Sequence, residues 1–462
     1  MLHILKDTSI YAVGDILTKG IGFLSIIFYA NFLSQSDMGA YGYILVIIGF
    51  VSTFLILGMD NAYARYFFEY KNQDDKKVLT STLFIFLSIW IITILVLPIY
   101  FSTDISYIIF EVNSYGIVLF FAFIGLPLKL MSSISNQVLR NQFKTKQYIS
   151  FNFITAFISV STATLLLNFT KIGISSIFIA IIIADILVLP FRIFAIKELL
   201  IKRIDFSMLK KLLLYGIPFL PVSLAYWIFS SSDRIMLESM SSLESVGMYT
   251  VALTLSTVMS IIASSIGQAW SPHAIKLYEE DKEKARILYE KFLVVLISIA
   301  LFILFTASLI GKEVIGLIFP SEYQGTFYPM LLLLAAVGFQ LTGQVTASGI
   351  GLKKKTIYLV YITIFVASIN IILNYTLIPI YSEIGAAIAT MISYIVLTGT
   401  YGIVSQKLFS IRYDSKFLLV AFGILFSIFI VSFLDIYFRV FIFMVGVMYI
   451  YFQKNKIKEF IR

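Results

Sequence analysis

The 462-residue chain has no cysteine, two histidines, three tryptophans and nine prolines, and only 13 % of its residues are charged. Without cysteine there is no disulfide framework, thiolate metal site or thiol nucleophile. His3 and His273 stand far apart and offer no metal-ligand spacing. No GxxxxGK[ST] phosphate loop occurs, and the Gly311-Lys312 pair lacks the upstream glycine, which argues against ATP hydrolysis. A soluble domain carries about 25 % charged residues. The shortage here excludes a soluble enzyme, a nucleic-acid-binding domain and a disordered chain.

What the chain has instead is apolar surface, at 59 % of its residues. A bilayer-spanning helix needs about 20 mostly apolar residues, and fourteen such runs can be read. They lie near 9–32, 40–60, 79–101, 115–135, 148–168, 174–194, 212–232, 247–270, 291–311, 328–350, 356–376, 384–404, 417–434 and 437–453. The longest connection expected is Ser271 to Glu290, so no loop is large enough to fold as a domain. Met1 to Ser9 is too short and weakly charged for a cleavable signal, and the first run is expected to remain as a membrane helix.

Lysine and arginine concentrate in cytoplasmic loops. With the N-terminus inside, 29 of the 35 fall on the inner side, six of them after the sixth span. Lys171, Arg234, Lys312 and Arg439 fall outside, and Lys19 and Lys129 lie within spans. Both termini are therefore expected in the cytoplasm. The net charge of +9, including the run Lys454, Lys456, Lys458 and Arg462, is read as basic loops facing anionic membrane lipid.

The spans repeat. Ser34-Gln-Ser-Asp-Met-Gly39-Ala-Tyr41 returns as Ser242-Leu-Glu-Ser-Val-Gly247-Met-Tyr249. Leu167-Asn168-Phe169-Thr170 with Ile172-Gly173 returns as Leu373-Asn374-Tyr375-Thr376 with Ile384-Gly385. The expectation is an all-α integral membrane protein of about 14 transmembrane helices. Two parallel six-helix bundles, residues 1–200 and 201–410, are related by a pseudo-twofold axis along the membrane normal. Residues 411–462 add two helices and a basic tail. Parallel halves imply a cavity between them and alternating access by rocking. Since the two halves already make that cavity, a monomer suffices.

An ionisable residue deep in a span is costly unless paired or facing water. Asp15 and Lys19 stand one turn apart on the first span, either as a structural pair or as a cavity-facing cation with its resting partner. Lys129 follows Pro127 in the fourth span and can either serve a cavity or snorkel to the inner surface. Asp185 lies near the middle of the sixth, as a hydrogen-bonded structural acid, a partner of Lys19 or Lys129, or a carrier of coupling Na⁺ or H⁺. Asp60, Arg65, Arg140, Asp233 and Arg234 sit at span ends, where interfacial anchoring competes with a role in the cavity. Asn152, Gln268, Gln340, Gln344 and Asn370 suit inter-helix hydrogen bonds. Pro218 and Pro221 mark either a hinge or a static kink in the seventh span.

Several of these stretches resemble one family. Asp233-Arg234-Ile-Met-Leu with Val246-Gly247-Met-Tyr249 is similar to the start of the second half of polysaccharide transporters. So is Ile372-Leu-Asn374-Tyr-Thr-Leu-Ile-Pro379 with Ile384-Gly385-Ala-Ala-Ile-Ala-Thr390. Gly20-Ile-Gly22 and Ser36-Asp-Met-Gly39-Ala-Tyr41 resemble their first helix pair. The chain thus resembles the Wzx-type O-antigen and capsule repeat-unit flippases of the multidrug/oligosaccharidyl-lipid/polysaccharide exporter superfamily.

That resemblance implies a carrier in the bacterial plasma (inner) membrane, and not an enzyme. The implied substrate is an undecaprenyl-pyrophosphate-linked oligosaccharide moved from the inner to the outer leaflet. A polysaccharide polymerase and a chain-length regulator are the implied partners and no cofactor is implied; coupling to Na⁺, to H⁺ or to no ion stays open. Lys19 and Lys129, with Arg65, Arg140 and Arg234, are the cations available to meet the diphosphate. The competing readings are a MATE-like multidrug/cation antiporter and a membrane enzyme. The antiporter wants an acidic cavity. The enzyme wants catalytic acids in a large outer loop, whereas Glu111, Glu238, Glu244, Glu313 and Glu322 are scattered.

Overall fold

The computed structural model describes residues 2–355, 357–411, 413–432 and 436–453, and within these some side chains, including those of His3, Asp15, Gln268 and His273, lie outside the described residues. The Lys454 to Arg462 run also lies outside them. Every regular element among the described residues is helical. Among the described residues ten helices are long and apolar enough to cross a membrane, and Ile16–Ala30, Ser415–Phe429 and Phe438–Tyr451 are shorter apolar helices. Large apolar side chains such as Leu97, Phe169, Phe191 and Leu317 stand exposed, as lipid-facing surface requires.

By packing, the chain forms two compact units, Met1–Ile235 and Met236–Arg462. The first contains α1 (Leu2–Ala30), α2 (Gln35–Ile56), α3 (Met59–Glu69), α4 (Gln73–Tyr100), α5 (Ser102–Phe110), α6 (Gly116–Asn141), α7 (Thr145–Phe169), α8 (Ser175–Ile196), α9 (Phe206–Gly216) and most of α10 (Leu220–Met240). The second contains α11 (Leu243–Glu280), α12 (Lys282–Ile318), α13 (Phe327–Thr346), α14 (Ser348–Leu352), α15 (Ile357–Leu408), α16 (Ser415–Ser432) and α17 (Ile436–Phe452). The sequence repeat restarts after residue 200, but α9 packs on α3 and α4, so the packing division falls later than the sequence division.

Short polar side chains set the helix starts by accepting orphan backbone N–H groups. Ser34 accepts from Asp37 at 3.1 Å, and its repeat counterpart Ser242 accepts from Ser245 at 3.2 Å. Asp205 accepts from Ser207 and Met208 at 2.8 and 2.9 Å. Asp281, held in an extended conformation, accepts from Glu283 and Lys284, both at 3.1 Å. This last cap corrects one expectation. The connection read from Ser271 to Glu290 is helical on both sides of Asp281, because polar residues there continue the helices beyond their apolar runs. The amphipathic α3 and the short α5, which fall in or beside expected connections, are helical too.

The internal contacts of the two units match. In the first, α6 packs on α8, and Tyr41 of α2 meets Phe178 of α8 with ring centroids 6.0 Å apart. In the second, α13 packs on α15, and the Tyr249 hydroxyl lies 3.2 Å from Thr390 Oγ1. The 52-residue α15 is two arms that meet at Ser382, where φ is 47° and ψ is −126°. The arms turn so closely that a Cβ on Gly385 would lie 2.4 Å from the Leu377 carbonyl oxygen. The repeat is not uniform: Asn168 is exposed, whereas its counterpart Asn374 is buried and donates to Asn370 at 3.1 Å.

Candidate functional site: a charged stripe on α6, α7 and α8

The latter half of α6 differs from the lipid-facing helices around it. Lys129, Ser133, Asn136 and Arg140 recur at intervals of four, three and four, so they share one face. At 1.5 Å per residue the stripe is about 16 Å long. Lys129, Ser133 and Arg140 are exposed, while Ile117 and Ile124 present exposed apolar surface on another face of α6. A polar face within a span must meet water or other polar groups, since hydrocarbon offers it no hydrogen bonds.

Behind the stripe lies a buried layer. Ser132 Oγ donates to Asp185 Oδ1 at 2.8 Å, and Asp185 is 3 % exposed. Two turns along α8 on the same face, Arg192 is 1 % exposed. Its Nη1 donates to Asn136 Oδ1 and, at 3.1 Å, to Asn152 Oδ1 of α7, while Nη2 donates to Thr155 Oγ1 at 2.9 Å. Asn136 Nδ2 donates to Asn152 Oδ1 at 2.8 Å, and the guanidinium lies 5.7 Å from the Phe151 ring centre. Lys144 Nζ caps the end of α8 by donating to the Ala195 carbonyl oxygen at 2.8 Å. Asp185 stands two turns from Arg192 on α8 and bonds Ser132, one turn from Lys129 on α6, but forms a contact ion pair with neither cation. Lys129, Arg140 and Arg192 stand as three cations against the one carboxylate Asp185.

The other candidates are dispersed. Lys19 is exposed on α1; its proposed companion Asp15 has its side chain outside the described residues. Arg65, exposed on α3, lies 3.8 Å from Glu69 and 5.1 Å from the Tyr215 ring centre, and the exposed Asp60 accepts from Asn61 at 3.3 Å. Arg140 donates to Gln137 and lies 5.6 Å from the Tyr148 ring centre. Asp233 is buried on α10 and accepts from the Arg234 backbone N–H at 2.8 Å, and Arg234 Nη2 donates to the Ser230 carbonyl at 3.1 Å. In the second unit Asn370 Nδ2 donates to Ser393 Oγ at 3.1 Å, while Gln340 and Gln344 are exposed.

Pro218 lies within the 3₁₀ turn Ile217–Phe219 that separates α9 from α10, and Pro221 lies in the first turn of α10. This turn abuts the break between α2 and α3, where Leu57 and Gly58 have φ of 55° and 65°. A Cβ on Gly58 would lie 2.3 Å from the Gly216 carbonyl oxygen, so only glycine permits the approach. Higher on α10, Trp227 Nε1 donates to the Val46 carbonyl at 3.2 Å and packs against Phe50 at 4.8 Å.

Sequence reading missed Arg192, which it grouped with the loop charges after the sixth span. Its position inside the apolar run 174–194, seven residues after Asp185, was the available signal. The serine and asparagine positions between Lys129 and Arg140 were also unread. The glycine contact at Gly58 and Gly216 had no signal in sequence, because it joins positions far apart in the chain.

The profile of a family described as polysaccharide biosynthesis protein matches residues 4–278. A capsular polysaccharide biosynthesis protein, CapF, of Staphylococcus aureus is 26 % identical over 180 residues, spanning 38 % of this chain and 45 % of that protein. A structure of the lipid II flippase MurJ in an inward closed conformation superimposes with a TM-score of 0.75, at 18 % identity, over 98 % of this chain and 99 % of that one. An inward-facing multidrug resistance MATE family transporter of the MOP superfamily superimposes with a TM-score of 0.69, at 14 % identity, over 86 % and 94 %. The helical membrane fold is therefore that of MurJ and MATE transporters, and the chain belongs to the polysaccharide biosynthesis protein family.

Proposed function

We propose that the protein is a flippase that moves an undecaprenyl-pyrophosphate-linked oligosaccharide from the inner to the outer leaflet of a bacterial plasma membrane by alternating access. The observation that carries this reading is the exposed, net-positive stripe Lys129–Arg140 on α6 in a member of the polysaccharide biosynthesis family. A diphosphate crossing a low-dielectric layer needs fixed cations along its path, and sugar hydroxyls need polar groups such as Ser133 and Asn136. Lys129 is the cation that meets the diphosphate; Arg140 lies nearer the surface from which it arrives. Lys19, Arg65 and Arg234 are auxiliary cations on other helices. The prenyl chain stays in lipid.

The lysine and arginine distribution supports cytoplasmic termini and an inner-facing Arg140 end. Asp185 is the carboxylate on this path that a coupling Na⁺ or H⁺ would meet, with Asp233, Asp60 and Asp15 as the further candidates. Pro218 and Pro221, beside the Gly58–Gly216 approach, are the hinge. Polymerase and chain-length regulator are the partners of a monomeric carrier.

A multidrug/cation antiporter shares the fold, but a cation substrate would be repelled by the excess of Lys129, Arg140 and Arg192 over Asp185. Deletion and complementation in the native host separate the two. The flippase reading expects lipid-linked repeat units to accumulate facing the cytoplasm on deletion and to return outward on complementation. Unchanged surface polymer and precursor, with altered dye resistance, would favour the antiporter.

A further inference from the structure

Arg192 is a cation that no translocating molecule can touch, because only 1 % of its surface is accessible. Its direct partners are the neutral oxygens of Asn136, Asn152 and Thr155, and its Nε has no partner. Neutral acceptors solvate a guanidinium without cancelling its charge, and an uncancelled charge between helices is costly to keep. The one carboxylate on α6, α7 and α8 is Asp185, two turns from Arg192 on the same face of α8. That carboxylate is committed to neither cation: its hydrogen bond comes from Ser132, one turn from Lys129 on α6. Lys129 alone of the three is exposed.

The geometry points to a shared counter-ion: in the empty site Asp185, bonded to Ser132, offsets Lys129 and Arg192 together, and it is left to Arg192 alone when a diphosphate reaches Lys129. This rests on the reading of Lys129 as the anion-binding cation. A carrier has to bind its cargo and then release it, so an exposed lysine needs a competitor for its charge that can step aside. Without Arg192, Asp185 stays with Lys129 and excludes the incoming anion. Without Asp185, Lys129 holds the anion too firmly and release slows. Arg192 is a positioning residue that acts on cargo only through Asp185, and the asparagines and threonine keep its guanidinium at the required depth.

The test is farnesyl diphosphate binding to the full-length protein in lipid nanodiscs. Arg192→Gln is expected to raise Kd by about 10-fold or more, Asp185→Asn to leave Kd equal or lower, and the double variant to return within about 3-fold of Asp185→Asn. A merely structural Arg192 would not be rescued by removing a neighbouring carboxylate. A double variant as weak as Arg192→Gln alone, or wild-type binding in Arg192→Gln, would overturn the proposal. If Arg192→Gln fails to fold, Arg192→Lys decides: it keeps the charge but not the fork, so near-wild-type Kd is expected and a loss of about 10-fold contradicts it. Lys129→Ala separates the two levels of the argument. Unchanged Kd there refutes the anion site itself, whereas lost binding with an unrescued Arg192→Gln refutes only the shared counter-ion.

Discussion

The two units repeat the same helix pairings but carry different chemistry. In the first, α6 and α8 bring together Lys129, Asp185 and Arg192, whereas α13 and the second arm of α15 before Lys407 contain no lysine, arginine, aspartate or glutamate apart from Glu383 beside the turn. At the shift set by Ile172-Gly173 and Ile384-Gly385, the positions of Asp185 and Arg192 fall on Leu397 and Val404. In the second unit, α13 and α15 instead line, with α12 and α16, an apolar cavity of about 440 Å³ that includes Leu304, Phe339, Ile395, Gly402 and Phe422. The fold thus does not require buried charge on these helices, since the second unit packs without it. A charge that the scaffold can do without, and that the membrane penalises, is what the proposed anion site calls for.

Moving charge between the units is the harshest test of that contrast. Leu397→Asp buries a carboxylate with no cation near it and is expected to cost about 3–5 kcal/mol, read as a lower melting temperature in detergent. Lys129→Ala comes next. It removes an exposed charge, so the protein stays abundant while translocation of lipid-linked repeat units falls by roughly 100-fold, with Lys129→Arg keeping most of it. A smaller effect is expected from Asn152→Ala, which strips buried Arg192 of one acceptor and should lower stability by about 1–3 kcal/mol. The second unit's exposed amides give the smallest: Gln340→Ala with Gln344→Ala should shift stability by less than about 0.5 kcal/mol and leave translocation intact. Loss of translocation in that last variant would show that both units recognise cargo.

Much of this architecture could be read before any coordinates. Apolar runs located the spans, and the Ser34 and Ser242 matches marked two equivalent helix starts, which both prove to be N-caps. Hydropathy reports the mean character of a window, so it found Lys129 and Asp185 as exceptions deep in a run but passed over Arg192 near the end of one. It was equally blind to helices that continue past their apolar stretch, as α11 and α12 do up to and beyond Asp281. The stripe itself needed only the helical period, because Ser133 and Asn136 fall in register with Lys129 and Arg140. What the period cannot supply is the pairing between helices. That Ser132 meets Asp185, and that Asn152 of α7 meets Arg192, follows from packing among α6, α7 and α8.

On the proposed function, the α6 stripe faces a water-filled path and meets a diphosphate there. The chain has no cysteine, so a single introduced thiol reports on its own position. Ser133→Cys, one turn from Lys129, should react rapidly with a charged methanethiosulfonate reagent, since the thiolate forms only where water reaches. Ile124→Cys, exposed on the apolar face of the same helix, should not. Farnesyl diphosphate should slow the reaction at Ser133→Cys. A Ser133→Cys thiol that stays unreactive, or one that reacts at the same rate with and without the diphosphate, would contradict the account.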